Sequence, residues 1–235
     1  MEEALPRDIA HPNLWQEYIK TREYKEGQRE AIPAHHKLVE KRERDGLRAI
    51  YRTYIAKLTE THSFRAALQL RTVDQWLNEW KKMHRLLWEH VLQKCGQWRK
   101  KEVRFGDVGD EDIYHIPKPH DVPREIAMLA REVNDRISTM HRSDEKKFTT
   151  LAVVHYQFIR IHPLDDGNGR IARAITDQLA LYFDFPVAMG GYPRHDLKRR
   201  EAYHRAIRAA ADDPSCTDLA GWIQNYILRQ LEEIA

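Results

Sequence analysis

His162-Pro163-Leu164-Asp165-Asp166-Gly167-Asn168-Gly169-Arg170-Ile171-Ala172-Arg173 joins two apolar stripes of helical period. Upstream, Phe148, Leu151, Ala152, His155, Phe158 and Ile159 mark one face of a helix over Lys146–Ile161; downstream, Ile171, Ile175, Leu179 and Tyr182 do so over Gly169–Phe183. Pro163 ends the first helix at His162, because a proline ring cannot continue it. The chain then turns through Gly-Asn-Gly and opens a second helix, with arginines one and four positions after Gly169. A helix N-terminus reached through glycines turns backbone N–H groups and the positive end of its dipole toward an anion. Arg170 and Arg173 share one face of the first turn and can reach one polyphosphate. Asp166 can hold a hard cation such as Mg2+ against that phosphate. His162 stands at the mouth, able to take a proton near neutral pH. Taken singly, the aspartates read as helix caps, the glycines as a tight turn and the arginines as a solvated face. Taken together, they point to phosphoryl or nucleotidyl transfer to an acceptor hydroxyl.

Outward from this stretch the chain reads as an all-α body with one irregular insertion. Glycine and proline number ten each in 235 residues, and neither occurs from Leu47 to Cys95 or from Arg124 to His162. Such breaker-free runs, rich in Ala, Leu, Arg, Glu and Lys, are helices joined by short turns. The spacing predicts charged helices over 13–30 and 36–60 and an amphipathic one over 73–94, on which Trp76, Leu77, Trp80, Met83, His84 and Leu87 share a face. Further helices are expected over Arg124–Ser138, 197–211 and 217–233. Gln97 to Ile116 breaks the pattern: Glu102–Phe105 and Ile113–Ile116 alternate around a Gly-Asp-rich middle, as the arms of a β-hairpin do.

Composition removes several classes. With 39 Lys+Arg against 36 Asp+Glu the net charge is +3, weak ground for nucleic-acid binding. The basic run Arg194–Arg208 is interrupted by Asp196 and Glu201 and reads as a solvated helix face. No stretch approaches the roughly 18 apolar residues of a membrane span, and Met1–Ala10 lacks a signal-peptide core. Cys95 and Cys216 are too few for a disulfide framework, so a reducing, cytoplasmic setting is the default. None of the 13 histidines forms an H-E-x-x-H pair, and no zinc site is assigned. His155, two turns before His162, reads as a satisfied core histidine. The tryptophans between Trp76 and Trp98 read as core and hairpin packing.

The 162–173 string resembles the Fic family signature, H-x-F-x-(D/E)-G-N-G-R-x-x-R. His162, Asp166, Gly167, Asn168, Gly169, Arg170 and Arg173 match; Leu164 stands where the family has Phe, a position that anchors the loop in the core. Met83-His84, Leu86-Leu87 and Cys95-Gly96-Gln97-Trp98-Arg99 are similar to the lead-in to that family's hairpin flap, with Pro117-Lys118-Pro119 after it. Tyr203, in Glu201-Ala-Tyr-His204, resembles a tyrosine near the nucleotide base. The resemblance implies a Fic-fold helical bundle with a β-hairpin flap, divided into an N-terminal helical arm (1–72), regulatory in character, and a catalytic domain (73–235).

It also implies an activity, transfer of AMP from ATP to a Ser, Thr or Tyr hydroxyl of a target protein. On that analogy His162 is the general base and Asp166 the Mg2+ ligand. Asn168 and the backbone of Gly167 and Gly169 form the anion hole, Arg170 neutralises the leaving pyrophosphate, and Arg173 reaches the γ-phosphate. The 97–116 flap holds the target as an added strand. Alternatives in the same fold are transfer or removal of another phosphate-containing group, or a regulatory module of a toxin–antitoxin or mobile-element system. Many members carry an inhibitory (S/T)-x-x-x-E-(G/N) helix. Thr21-Arg-Glu-Tyr-Lys-Glu26-Gly27 approximates it with Thr21 one position early, which makes Glu26 the candidate inhibitory carboxylate facing Arg173. A separate antitoxin-like protein is the other source of restraint, and a homo-oligomer is left open.

Overall fold

The computed structural model describes residues 34–56, 64–89, 91, 95–103, 114–139, 143–191 and 196–234. In these the chain forms α1 (Ala34–Ile50), α2 (Phe64–Gln69), α3 (Val73–Trp88), α4 (Val122–Ser138), α5 (Asp144–Ile161), α6 (Asn168–Tyr182), α7 (Leu197–Ala209) and α8 (Thr217–Ile234). A π-helical segment, Tyr51–Ala56, continues α1, and a 3-10 turn, Met189–Gly191, follows α6. No strand occurs among the described residues. The expected hairpin falls largely on residues 104–113, outside the described residues. On either side, 97–103 and 114–116 are irregular backbone.

Local chemistry sets the helix ends. Thr72 opens α3 with a capping box, its hydroxyl accepting from the Gln75 N–H at 3.2 Å while the Gln75 side chain accepts from the Thr72 N–H at 2.8 Å. Pro123 stands in the first turn of α4, where its missing N–H costs nothing. Asp196 caps α7 through the Arg199 N–H at 3.1 Å.

Helix α5 is the axis of the molecule. Its sequence suggests burial along one face, yet Phe148, Leu151, Val153, Val154, Tyr156 and Ile159 are all buried, on every side. The reason is its neighbours, since α4, α6 and α8 all pack against it. Helix α3 brings the heaviest side chains, with Trp76, Trp80 and Trp88 at 0% exposure and Trp80 edge-on to Phe158 at 5.6 Å. Against α3 lies α1.

A second tie holds the N-terminal segment. The buried Asp177 on α6 accepts from the Tyr51 hydroxyl at 2.5 Å and from the N–H groups of Ala188, Met189 and Gly190 at 2.8–2.9 Å. Desolvation pushes its carboxyl upward, and the four donors counter that. Gly190 leaves room for the phenol, because a Cβ there would stand 2.6 Å from Tyr51 Cζ. Residues 34–56 of the arm expected from sequence thus pack onto α3 and onto α6, the helix that opens within the motif.

Candidate active site

His162 is the C-cap of α5, in the left-handed conformation at φ 47° and ψ 56°. Its Nδ1 lies 3.3 Å from the Ile159 carbonyl. A carbonyl only accepts, so Nδ1 carries the hydrogen and Nε2 is the basic nitrogen. Burial pushes the imidazole pKa down to about 4, and the Arg99 charge adds to the effect. The ring is therefore neutral at pH 7, as a proton acceptor must be.

Arg99 is the residue that sequence reading noted only in passing. At 2% exposure it donates from Nε to the His162 carbonyl at 2.7 Å, from Nη1 to Lys101 at 2.9 Å, and from Nη2 to Pro117 at 2.6 Å and Ile161 at 3.4 Å. Its own N–H bonds the Pro163 carbonyl at 2.8 Å. One guanidinium thus joins both feet of the 97–116 segment to the end of α5, where the negative helix terminus favours it. Within Trp98-Arg99-Lys100-Lys101 nothing marks this cation from its neighbours.

The motif loop is built for close approach. Leu164, where the signature has Phe, is fully buried and anchors the loop as expected. The Asn168 amide bonds the Leu164 backbone at both ends, accepting from N–H at 3.0 Å and donating to the carbonyl at 2.8 Å. This side chain shapes the loop. Gly167 has φ +83°, and a Cβ there would meet Leu87 Cδ2 at 2.6 Å and Trp88 Nε1 at 2.8 Å. Buried His84 accepts from the Gly96 N–H at 2.8 Å through Nδ1; burial pushes its pKa down to about 4, and the Asp166 backbone acts in the opposite direction. The first intrahelical bonds of α6 run from Arg170 and Ile171 to the Gly167 carbonyl at 3.0 Å. Asn168 and Gly169 therefore supply the N–H groups at the positive end of the helix.

Asp166 accepts from the Gly167 N–H, and its Oδ1 stands 3.7 Å from Arg170 Nη1. No group of three His, Cys, Asp or Glu side chains gathers among the described residues. A single carboxylate beside a helix N-terminus is a donor set that fits Mg2+, which keeps several waters and needs only one or two carboxylates.

The two motif arginines leave the same turn in different company. Arg170 lies over the Trp88 ring at 5.0 Å, with its Nε 2.7 Å from Glu43 Oε1 on α1. Arg173 folds back along the first turn, its Nη1 3.4 Å from where a Gly169 Cβ would be, and its charge bears on Tyr51 and His155. Tyr203 is linked to α6 through His155. Its hydroxyl lies 2.7 Å from His155 Nε2, and His155 Nδ1 lies 2.8 Å from Thr176 Oγ1. Thr176 gives its hydrogen to the Ala172 carbonyl, so His155 donates to Thr176 and accepts from Tyr203. His155 is the satisfied core histidine expected, with burial pushing its pKa down to about 3. Glu26 lies outside the described residues.

The family comparison falls on the same residues: 73–180 match the Fic/DOC family. Among curated relatives, Protein adenylyltransferase Fic of Drosophila melanogaster is 26% identical over 142 residues, 60% of this chain and 26% of the relative. The corresponding protein of Drosophila erecta is 28% identical over 129 residues, 54% of this chain and 23% of its own. The chain therefore spans about a quarter of these relatives' length. The fold is shared with a fragment of Fic-1 from C. elegans, at a TM-score of 0.62 and 17% identity over 97% of this chain and 68% of that one. It is shared too with a Fic-domain-containing signaling protein from Bacteroides thetaiotaomicron, at 0.59 and 15% over 96% and 91%. No helix among the described residues is long and apolar enough to cross a membrane.

Proposed function

We propose that this chain is a protein adenylyltransferase, moving AMP from ATP to a Ser, Thr or Tyr hydroxyl of a target protein. The observation that carries the reading is a neutral His162, its Nδ1 turned to the Ile159 carbonyl, at the turn leading into the arginine-bearing N-terminus of α6. The name of the Drosophila relatives supports AMP as the group transferred.

In this reading His162 Nε2 takes the hydroxyl proton as the oxygen bonds to the α-phosphorus. The bond from that phosphorus to the bridging oxygen breaks, and pyrophosphate leaves. The first N–H groups of α6 bind the phosphate oxygens where charge builds. Arg170 takes the leaving pyrophosphate and Arg173 the γ-phosphate. Mg2+ on Asp166 would supply positive charge to the phosphates while bound. The target lies along 97–116, whose two feet Arg99 fastens beside His162.

The test is labelling by ATP, GTP, UTP or CTP, each carrying a labelled α-phosphate, with Mg2+ and a protein mixture. ATP is expected to label protein, and His162→Ala to lower the rate on the order of 10²–10⁴-fold. ATP affinity, set by other groups, is expected to stay near wild type by calorimetry. Labelling by another nucleotide alone moves the donor; unchanged labelling by His162→Ala removes the general base.

A further inference from the structure

Helix α1 buries Val39, Glu43, Gly46 and Ile50, a spacing of four, three and four that defines one helical face. Three of these suit packing between helices. The fourth is a carboxylate only 2% exposed. Desolvating a lone carboxylate is strongly unfavourable, so a charge at such a position is held by an opposite one. The opposite charge is Arg170, whose Nε stands 2.7 Å from Glu43 Oε1, the two side chains 7% and 3% exposed.

Gly46 makes this meeting geometrically feasible. A Cβ there would lie 2.4 Å from the Leu86 carbonyl oxygen and 2.7 Å from Leu87 Cα, so α1 rests backbone to backbone on α3. Glu43, one turn back on the same face, then reaches the guanidinium lying over Trp88. Asp166 stands on another side, 3.7 Å from Nη1. Three segments thus surround one guanidinium, Trp88 against its face and the two carboxylates as ion pairs. Glu43 and Gly46 both precede the 73–180 stretch that matches the family.

We propose that Glu43 is a positioning residue for Arg170, orienting its guanidinium toward the leaving phosphates of the nucleotide. This rests on the transfer reading above. The Glu43 contact is made through Nε, whereas the two Nη nitrogens carry four of the five N–H groups with which a guanidinium grips phosphate. An arginine held in place loses less freedom on binding than a loose one, which raises affinity. The opposing effect is electrostatic, since a carboxylate weakens the field felt by phosphate. Arg170 and Glu43 already neutralise one another in the folded protein, so orientation dominates.

Calorimetry on the full chain separates the outcomes, with Mg2+-ATP and AMP as probes. AMP lacks the phosphates assigned to Arg170. Glu43→Gln keeps the shape and removes the charge; it is expected to weaken ATP binding roughly tenfold while leaving AMP binding unchanged. Glu43→Asp, with the charge restored, is expected to recover part of the ATP preference. Added to Arg170→Ala, Glu43→Gln is expected to cause no further loss, because the two act as one unit. An unchanged ATP-to-AMP ratio, or additive losses, would falsify the proposal and leave Glu43 a packing residue. Tighter ATP binding would overturn it in favour of competition. A wild-type chain that binds ATP no better than AMP would remove the phosphate role of Arg170, and with it the transfer reading.

Discussion

Four backbone carbonyls, those of Lys101, Pro117, Ile161 and His162, converge on the guanidinium of Arg99. Arg99→Met fills much the same volume but leaves these acceptors unpaired, at about 1–3 kcal/mol for each that stays buried. A net loss of roughly 3–5 kcal/mol is expected, lowering the melting temperature by roughly 6–20 °C. Arg99→Lys should recover only part, since one ammonium cannot span the same acceptors. Turnover should fall further than ATP affinity, because the freed end of α5 carries His162 and not the α6 terminus proposed to hold phosphate. Removing the Arg99 charge also lets the His162 pKa rise from about 4 toward its ordinary value, so the acid limb of the pH–rate profile moves to higher pH. Thermal melting and steady-state kinetics at several pH values check both parts. An unshifted acid limb in a folded Arg99→Met protein would separate Arg99 from the base.

At the scale of elements, the contact of α1 with α3 at Gly46 governs the site from a distance. Gly46→Ala drives a methyl group into the α3 backbone, and overpacking of this kind costs about 1–3 kcal/mol. Gly221→Ala on α8 is the control: its Cβ meets nothing within 4 Å, and replacing a helical glycine should stabilise by about 1 kcal/mol. Opposite shifts in melting temperature are expected, and equal shifts would show that α1 yields without strain. The elements that sequence reading located best are those whose apolar spacing is strong. Trp76, Trp80, Met83 and Leu87 mark α3, and the 162–173 string falls on the α5–α6 turn as read. Glu43 escaped because its partner is distant in sequence: a glutamate among the charged residues of α1 looks solvated until α3 and α6 are in place. Asn168 was legible as a motif residue but not in its bonding to Leu164, which depends on the turn having already closed.

For the whole molecule, three histidines set the response to acid, His84 and His155 in the core and His162 half-buried. His84 and His162 are held near pKa 4 and His155 near 3 by burial, against about 6.5 in an unfolded chain. Between these values the unfolded chain binds protons that the folded one does not, so stability present above pH 6.5 is lost as the pH falls toward 4. The three shifts act in the same direction, so their destabilising effects add as the pH falls. Asp177 opposes this, because its raised carboxyl pKa favours the folded state in acid. The melting temperature is expected to drop steeply from pH 6.5 to 4.5, and a flat curve would mean that these rings are already charged in the fold. The Tyr51–Asp177 bond carries a consequence for synthesis as well. Its two ends are 126 residues apart, so Tyr51 leaves the ribosome long before its acceptor exists. Through that interval α1 can rest on α3, but Tyr51 has no carboxylate and Glu43 has no arginine to meet. The corner proposed to bind phosphate therefore assembles only once α6 has emerged, and shorter nascent chains have no formed site with which to act.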